Sequence, residues 1–230
     1  MDHAANLPSA ELLERLAPLQ AIESSSAVRV HLARNVFALW EEWERESGGR
    51  REVPYWAVPW PAAIAFCRFL SVHPLAVRGQ RVVDLGCGGA AAGIAASLAG
   101  ARQVTANDTD PVALHLAHYN AAANQVTLRL DPRDLTQVGL SPDTQVVLVG
   151  DLFYERRPAT RLEAFLRTAV RQGIEVLIAD AGRPFAPRTG VVVLATESVA
   201  VDTDLEGTTS RTVRILRLLA ADPTAASLPA

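Results

Sequence analysis

From residue 80 onward, short runs rich in Val, Ile and Leu alternate with longer stretches of helical periodicity. The strand-like runs are 81–86, 103–108, 126–130, 144–151 and 174–180. The helical stretches between them are 90–99, 111–124 and 158–172. Such alternation is typical of a parallel sheet with helices on both faces.

The segment 197–219 departs from this alternation, because it offers two strand-like runs with no helix-length stretch between them. It therefore predicts an antiparallel end to the sheet. The fold class that follows is α/β, a Rossmann-like sheet of seven strands that is parallel except for an antiparallel C-terminal strand. We expect this domain to occupy 53–220 and residues 221–230 to form a flexible tail.

The first 52 residues predict an N-terminal helical extension. One helix is expected over 10–19, and a second from Val28 to Glu46, where apolar residues recur at helical spacing until the sequence SGGR. Prolines forbid regular structure in 51–61, and a further apolar helix is expected from Ala62 to Val72, with Pro61 in its first turn.

Charge and cysteine content restrict the function classes. The 230-residue chain has a net charge of -3, which argues against a nucleic acid as partner, and all 22 basic residues are Arg. Two cysteines, Cys67 and Cys87, predict no disulfide scaffold. The sequence shows neither a signal peptide nor a membrane span, so we expect a soluble, cytoplasmic protein.

Acidic side chains end the predicted strands. In an open α/β sheet, ligands bind at the carboxyl edge, near the point where the strand order reverses. Each of these aspartates could instead cap a helix N-terminus. They are Asp84, Asp108, Asp134, Asp151 and Asp180.

A glycine loop follows the first strand in the sequence VVDLGCGGAAAG. Gly86 and Gly88 allow a tight turn and the close approach of a ligand. A dinucleotide fingerprint requires a third glycine where this chain has Ala91, and Asp84 would repel a diphosphate but favour an ammonium or sulfonium. The loop therefore suits a cation better.

Two of the acids indicate a nucleoside. Asp108 lies 24 residues after Asp84, at the end of the second strand, where a carboxylate accepts both ribose hydroxyls. Asp134 follows the third strand and could accept from an adenine amino group.

These residues resemble the seven-β-strand S-adenosylmethionine methyltransferases, through DLGCG, Asp108 and the strand-ending DLFY. The segments WAVPWP, VRGQRVVDLGCG, GDLFYER, DAGRPFAPR and RTVRILRL resemble, more narrowly, the lysine methyltransferases of the electron-transfer flavoprotein β subunit. The likeness covers about Val53 to Leu218. Two departures affect substrate choice: Ala90 replaces a usual third glycine, and the helix before the sixth strand is shortened in 186–198.

The resemblance implies an S-adenosylmethionine-dependent methyltransferase that releases S-adenosylhomocysteine and methylates protein lysine. The catalytic residues it implies are Asp151 and Tyr154, which would face the incoming amine. The cofactor-binding residues it implies are Trp60, Asp84, Gly86, Cys87, Gly88, Asp108, Thr109, Asp134, Leu135 and Asp151. No metal is expected, because methyl transfer requires none and His115 and His118 lack a third ligand.

Three function classes remain open from the residues. The first is a protein-lysine methyltransferase, and the second is a methyltransferase that acts on nitrogen or carbon of a small molecule. The third is a non-catalytic nucleoside-binding domain or a nicotinamide-linked dehydrogenase. The Asp151–Tyr154 pair argues against the non-catalytic domain, and Asp84 argues against the dehydrogenase. The oligomeric state is not predicted.

Overall fold

The computed structural model describes residues 7–23 and 27–220. A seven-stranded sheet forms the centre, in the order β5-β4-β3-β6-β7-β9-β8. Its strands are β3 Arg81–Leu85, β4 Gln103–Asn107, β5 Arg129–Asp131, β6 Val146–Gly150, β7 Glu175–Asp180, β8 Val191–Ala200 and β9 Ser210–Leu218. Strand β9 pairs antiparallel with both of its neighbours, β7 and β8, whereas the pairs among β3 to β7 are parallel. The predicted fold class is confirmed.

Helices cover both faces of this sheet. The helices are α1 Ala10–Leu16, α2 Val36–Ser47, α3 Pro61–Val72, α4 Ala91–Leu98, α5 Pro111–Ala123, α6 Leu135–Val138, α7 Arg156–Arg171 and α8 Thr203–Glu206. Side chains of β3 alternate between the faces: Val82 belongs to the core under α3 and α4, and Val83 to the core under α7. This alternation buries both faces, which explains the near-continuous apolar strands.

The strand order reverses between β3 and β6. After β3 the chain adds β4 and then β5 on one side of β3, and it then crosses to form β6 on the other side of β3. The carboxyl ends of β3 and β6 therefore flank the topological switch point, where open α/β sheets bind ligands. The glycine loop follows β3 and Asp151 follows β6, so both lie at this point.

The predicted helix from Val28 to Glu46 is wrong in its first part. Residues Arg29–His31 form strand β2, which pairs antiparallel with β1, Leu19–Ala21. Val28, Val30 and Leu32 are buried at the two-residue spacing of a strand. Helix α2 begins only at Val36, where Asn35 caps it, and ends at Gly48 in the left-handed conformation. The extension is therefore mixed rather than helical.

Three further differences from the predictions affect the sheet edges. The run predicted as a strand over 126–130 pairs only over Arg129–Asp131. No helix lies in 186–198, because this segment contributes most of β8, paired with β9 through a bulge at Val193/Ala195. The short helix α6 is not among the helices predicted from the sequence. The predicted tail at 221–230 lies outside the described residues.

In the described ranges 7–23 and 27–220, no helix has both the length and the apolar character required to cross a membrane.

Candidate active site

The glycine loop turns sharply after β3. Gly86 has a φ of 66° and Gly88 a φ of 51°, in the left-handed region where a side chain is strained. A Cβ at Gly86 would lie 2.7 Å from Cδ1 of Leu152, the residue after Asp151. The loop after β3 and the loop after β6 are therefore in van der Waals contact, and a side chain at Gly86 would have a strained φ and would have to displace Leu152.

Asp108 fastens the glycine loop to the end of β4. Its Oδ2 accepts the Gly88 N–H at 2.9 Å, and its Oδ1 accepts the Asp110 N–H at 3.0 Å. Burial raises the pKa of Asp108, while the N–H groups of Asp110, Gly88 and Thr109 offset part of this effect. The Gly88 and Asp110 hydrogen bonds occupy two of the about four acceptor positions of a carboxylate, so the side chain can still accept from ribose hydroxyls. This arrangement fits the predicted nucleoside.

Asp84 lies beneath the loop rather than on its open side. Its side chain is buried, and Oδ2 accepts the Gly93 N–H in the first turn of α4 at 2.8 Å. A Cβ at Gly93 would lie 3.0 Å from that same oxygen. Asp84 therefore fixes the start of α4 against β3.

The ionisation of Asp84 predicts a pH-dependent stability. The pKa of Asp84 is raised to about 7: burial raises it most, the Gly93 N–H offsets part of this rise, and the nearby Asp108 adds to it. Because the folded pKa exceeds that of an unfolded aspartate, about 3.9, the stabilisation is complete below about pH 4 and is lost as the pH rises through 7. Asp84→Asn still accepts from Gly93 but cannot ionise.

We therefore expect Asp84→Asn to gain stability relative to wild type as the pH rises from about 4 to 7. The gain is limited to about 1.4 kcal/mol of unfolding free energy per pH unit. Urea unfolding of both proteins at several pH values measures it. An identical stability difference at every pH would contradict the assignment of the raised pKa to Asp84.

Asp134 is the N-cap of α6. It accepts the Thr136 N–H at 3.0 Å, the Thr136 hydroxyl at 2.6 Å and the Gln137 side-chain amide at 2.5 Å. These donors lower its pKa, Thr136 foremost. The capping alternative therefore describes the side-chain contacts of Asp134, and its predicted contact with adenine stays a prediction. The neighbouring Leu135 is buried against α7.

Asp151 is held by three donors from two other parts of the chain, helix α3 and the loop after β7. Its φ of 53° is unusual for a residue with a side chain. Oδ2 accepts the Ala62 N–H of α3 at 3.1 Å. Oδ1 accepts the Arg183 Nε–H at 3.0 Å and the Ala181 N–H at 3.3 Å. Burial raises the pKa of Asp151, and Arg183 offsets part of that rise. The carboxylate is thus paired before any amine arrives.

An aromatic cluster lies beside Asp151. Tyr55 and Trp60 have ring centroids 5.6 Å apart, and the Trp60 indole N–H donates to the Tyr55 carbonyl at 2.9 Å. Tyr154 is 58% exposed, so it is not a packing residue. Desolvation raises the pKa of Tyr154, and Glu155, Tyr55 and Asp108 raise it further. The Tyr154 phenol therefore stays protonated at neutral pH.

Two buried asparagines that the sequence interpretation missed organise the same edge. Asn107 donates to the carbonyls of Asp131 and Arg133, both at 2.8 Å, and so shapes the loop before Asp134. Asn120 donates to the Gly89 carbonyl at 2.8 Å and accepts the His31 N–H at 2.9 Å. Asn120 therefore joins β2 of the extension to the glycine loop. The sequence did contain a signal for Asn120, because it is a polar residue on the apolar face of the predicted helix 111–124.

The remaining predicted residues take minor positions. Thr109 is exposed. Burial, with Asp84 and Asp108, raises the pKa of the Cys87 thiol well above its usual value, so Cys87 is no nucleophile at neutral pH. Trp56, which is not among the predicted site residues, is a core residue that packs edge-on against Trp43 at 5.8 Å. Within 7–23 and 27–220, no group of three or more His, Cys, Asp or Glu is arranged to hold a metal ion.

Comparison with curated proteins identifies methyltransferases as relatives of this chain. The chain is 45% identical over 132 residues to the electron transfer flavoprotein beta subunit lysine methyltransferase of Xenopus laevis, covering 56% of this chain and 53% of the relative. It is 37% identical over 147 residues to the Homo sapiens protein of that name, covering 62% and 55%. The chain therefore spans about half the length of the curated relatives it matches.

A family model and solved structures agree with this similarity. The model described as Ribosomal protein L11 methyltransferase (PrmA) matches residues 70–149. Magnesium protoporphyrin IX methyltransferase of Synechocystis superposes with a TM-score of 0.51 at 16% identity, covering 76% of this chain and 89% of that chain. A Pyrococcus horikoshii protein assigned to the RNA methyltransferases gives 0.55 at 18%, covering 73% and 88%. The predicted resemblance and the methyltransferase fold are confirmed.

Proposed function

We propose that the protein is an S-adenosylmethionine-dependent methyltransferase that methylates a lysine amine of the electron-transfer flavoprotein β subunit. The observation that best supports the reaction is the meeting of two loops at the switch point. Gly86 touches Leu152, which follows Asp151, and Asp108 accepts the Gly88 N–H of the same glycine loop. The nucleoside position and the Asp-x-x-Tyr segment are therefore adjacent. The named relatives support the choice of acceptor.

The residues that would hold the cofactor are those of the glycine loop and Asp108. The backbone of Gly86 and Gly88 allows close approach, and the free acceptor positions of Asp108 suit the ribose hydroxyls. When bound, S-adenosylmethionine supplies a methyl group on a positively charged sulfur. Trp60, whose ring lies next to that of Tyr55, would cover the bound cofactor.

The amine would be positioned by Asp151 and Tyr154. Most of the rate gain of such a displacement comes from alignment, with the reacting atoms about 3 to 3.5 Å apart. Neither residue is suited to remove the proton from a lysine ammonium, whose usual pKa is about 10.4. Asp151 is paired with Arg183, and the Tyr154 phenol is itself protonated. We therefore expect the proton to leave through water.

The acceptor is tested by incubation with methyl-labelled S-adenosylmethionine. Three acceptor preparations are compared: purified electron-transfer flavoprotein β subunit, ribosomal protein L11 and a set of small amines. Because this chain contains no Lys, every methyl-lysine found by mass spectrometry belongs to the acceptor. We expect label on lysine of the β subunit only. Label on small amines alone would favour a small-molecule methyltransferase, and no transfer to any acceptor would remove the proposal.

A soluble, cytoplasmic enzyme without a nucleic-acid partner remains our expectation from the sequence. The net charge of -3 supports the last point.

A further inference from the structure

Arg183 connects Asp151 to a part of the chain that follows β8. Its Nε–H donates to Asp151 at 3.0 Å, while its two terminal nitrogens donate to the Glu206 carboxylate at 3.2 and 2.7 Å. Glu206 is the last residue of α8, in the connection between β8 and β9. The side chains are 16% exposed for Arg183, 6% for Asp151 and 4% for Glu206.

Negative and positive side chains alternate in this group, in the order Asp151, Arg183, Glu206 and Arg211. Arg211 of β9 also donates to Glu206, at 2.8 Å, so two carboxylates and two guanidinium groups balance. Burial works against the Arg183 charge, but Glu206 and Asp151 outweigh it and raise the pKa of Arg183. A buried carboxylate without such a partner would take up a proton instead. The pairing with Arg183 therefore favours the ionised form of Asp151.

Geometry connects the same guanidinium to the acceptor side of the site. The Arg183 carbon Cζ lies 5.8 Å from the centre of the Trp60 ring, within the range of a cation–π contact. Trp60 precedes α3, whose Ala62 N–H donates to the other oxygen of Asp151. Arg183 thus fixes one oxygen of Asp151 while α3 fixes the other, which leaves the carboxylate a single orientation.

We propose that Arg183 is a positioning residue for the methyl transfer, which orients the ionised Asp151 toward the acceptor, and that Glu206 holds Arg183 in this position. This inference rests on the proposed function. It assigns a role in the acceptor site to the β8–β9 connection, through Glu206. The role differs from simple cross-linking of the sheet, because it requires the charge of Arg183 and not only its bulk.

Charged groups face Asp151 from several elements. Arg183 contacts it directly from the loop after β7, and Glu206 of α8 and Arg211 of β9 act through Arg183. Asp180, at the end of β7, accepts the Arg183 N–H at 2.8 Å and pairs with Arg214 at 3.0 Å. Helix α3 contributes the partial positive charge of its N-terminus at Ala62.

The test uses Arg183→Met, which keeps much of the length and removes the charge. We expect the midpoint of Asp151 ionisation, followed by carboxyl carbon NMR, to rise by at least about one pH unit. The turnover number near neutral pH should fall about 10- to 100-fold, while calorimetry with S-adenosylhomocysteine gives nearly unchanged affinity. Arg183→Lys, which keeps the charge, should restore the ionisation midpoint and part of the turnover.

Arg214→Met is the matched control, because it also removes an arginine 3.0 Å from a buried strand-end aspartate. It should lower stability without moving the Asp151 midpoint or the turnover number. Wild-type turnover in Arg183→Met, an unmoved midpoint, or equal loss in both variants would overturn the inference. Failure of the proposed function is distinct, since the wild-type protein would then neither bind S-adenosylhomocysteine nor transfer a methyl group.

Discussion

Asp108→Ala is expected to abolish measurable binding of S-adenosylhomocysteine, with a loss of at least about 100-fold in affinity, or ~2.7 kcal/mol. The variant removes the acceptor for ribose hydroxyls. It also frees the Gly88 N–H, which Oδ2 of Asp108 accepts at 2.9 Å. The glycine loop then loses its attachment to β4, so the backbone and side-chain parts of the nucleoside site fail together. Isothermal titration calorimetry of the folded variant measures the effect.

Asp110→Ala is the matched control for this experiment. Asp110 lies two residues further on and caps α5, accepting the Val112 N–H at 2.8 Å. Its replacement should cost about 1 kcal/mol of stability through the lost cap, but the affinity should stay within about threefold because Asp108 is intact. If Asp108→Ala bound the nucleoside as tightly as this control, the proposed cofactor position would be wrong.

Asp151→Ala is expected to eliminate turnover and to lower the free energy of unfolding by about 2 to 4 kcal/mol. Two effects combine in the stability loss. The Ala62 N–H at the start of α3 loses its buried acceptor, and Arg183 loses one of its two carboxylate partners. Binding of S-adenosylhomocysteine should persist, because Asp108 is held by the Gly88 and Asp110 N–H groups, whereas the Asp151 side chain bonds to Ala62, Ala181 and Arg183.

Asp151→Asn separates charge from shape. The amide oxygen still accepts from Ala62, so stability should fall less than in the alanine variant. The Arg183 partner is now neutral, and turnover should remain low if the negative charge orients the amine. Urea unfolding and initial-rate measurements on both variants distinguish these contributions. Full turnover in Asp151→Asn would remove the Asp151 charge from the mechanism and leave Asp151 as a structural cap.

Much of the fold could be predicted from the sequence because its determinants are local. Apolar runs such as Val146–Gly150, separated by helical stretches, specify parallel strands with crossover helices. Once this topology is given, the carboxyl ends of the strands must meet at one edge, and Asp108 and Asp151 meet there. The N-terminal extension was harder to predict. Val28, Leu32 and Val36 fit a helical spacing, but Arg29–His31 pairs with β1 instead.

Side-chain contacts at the site depended on the tertiary structure, because they join residues that are distant along the chain. Asp151 accepts from Ala62 and from Arg183, which lie 89 and 32 positions away. No local sequence pattern identifies such partners. An aspartate at the end of a strand has the same sequence context whether its side chain contacts a ligand, a helix or an arginine. The sequence by itself determined that acids follow the strands at the carboxyl edge of the sheet. Only the tertiary structure decided that Asp84 turns inward beneath α4 and that Arg183 pairs with Asp151, because burial and charge pairing are settled by packing.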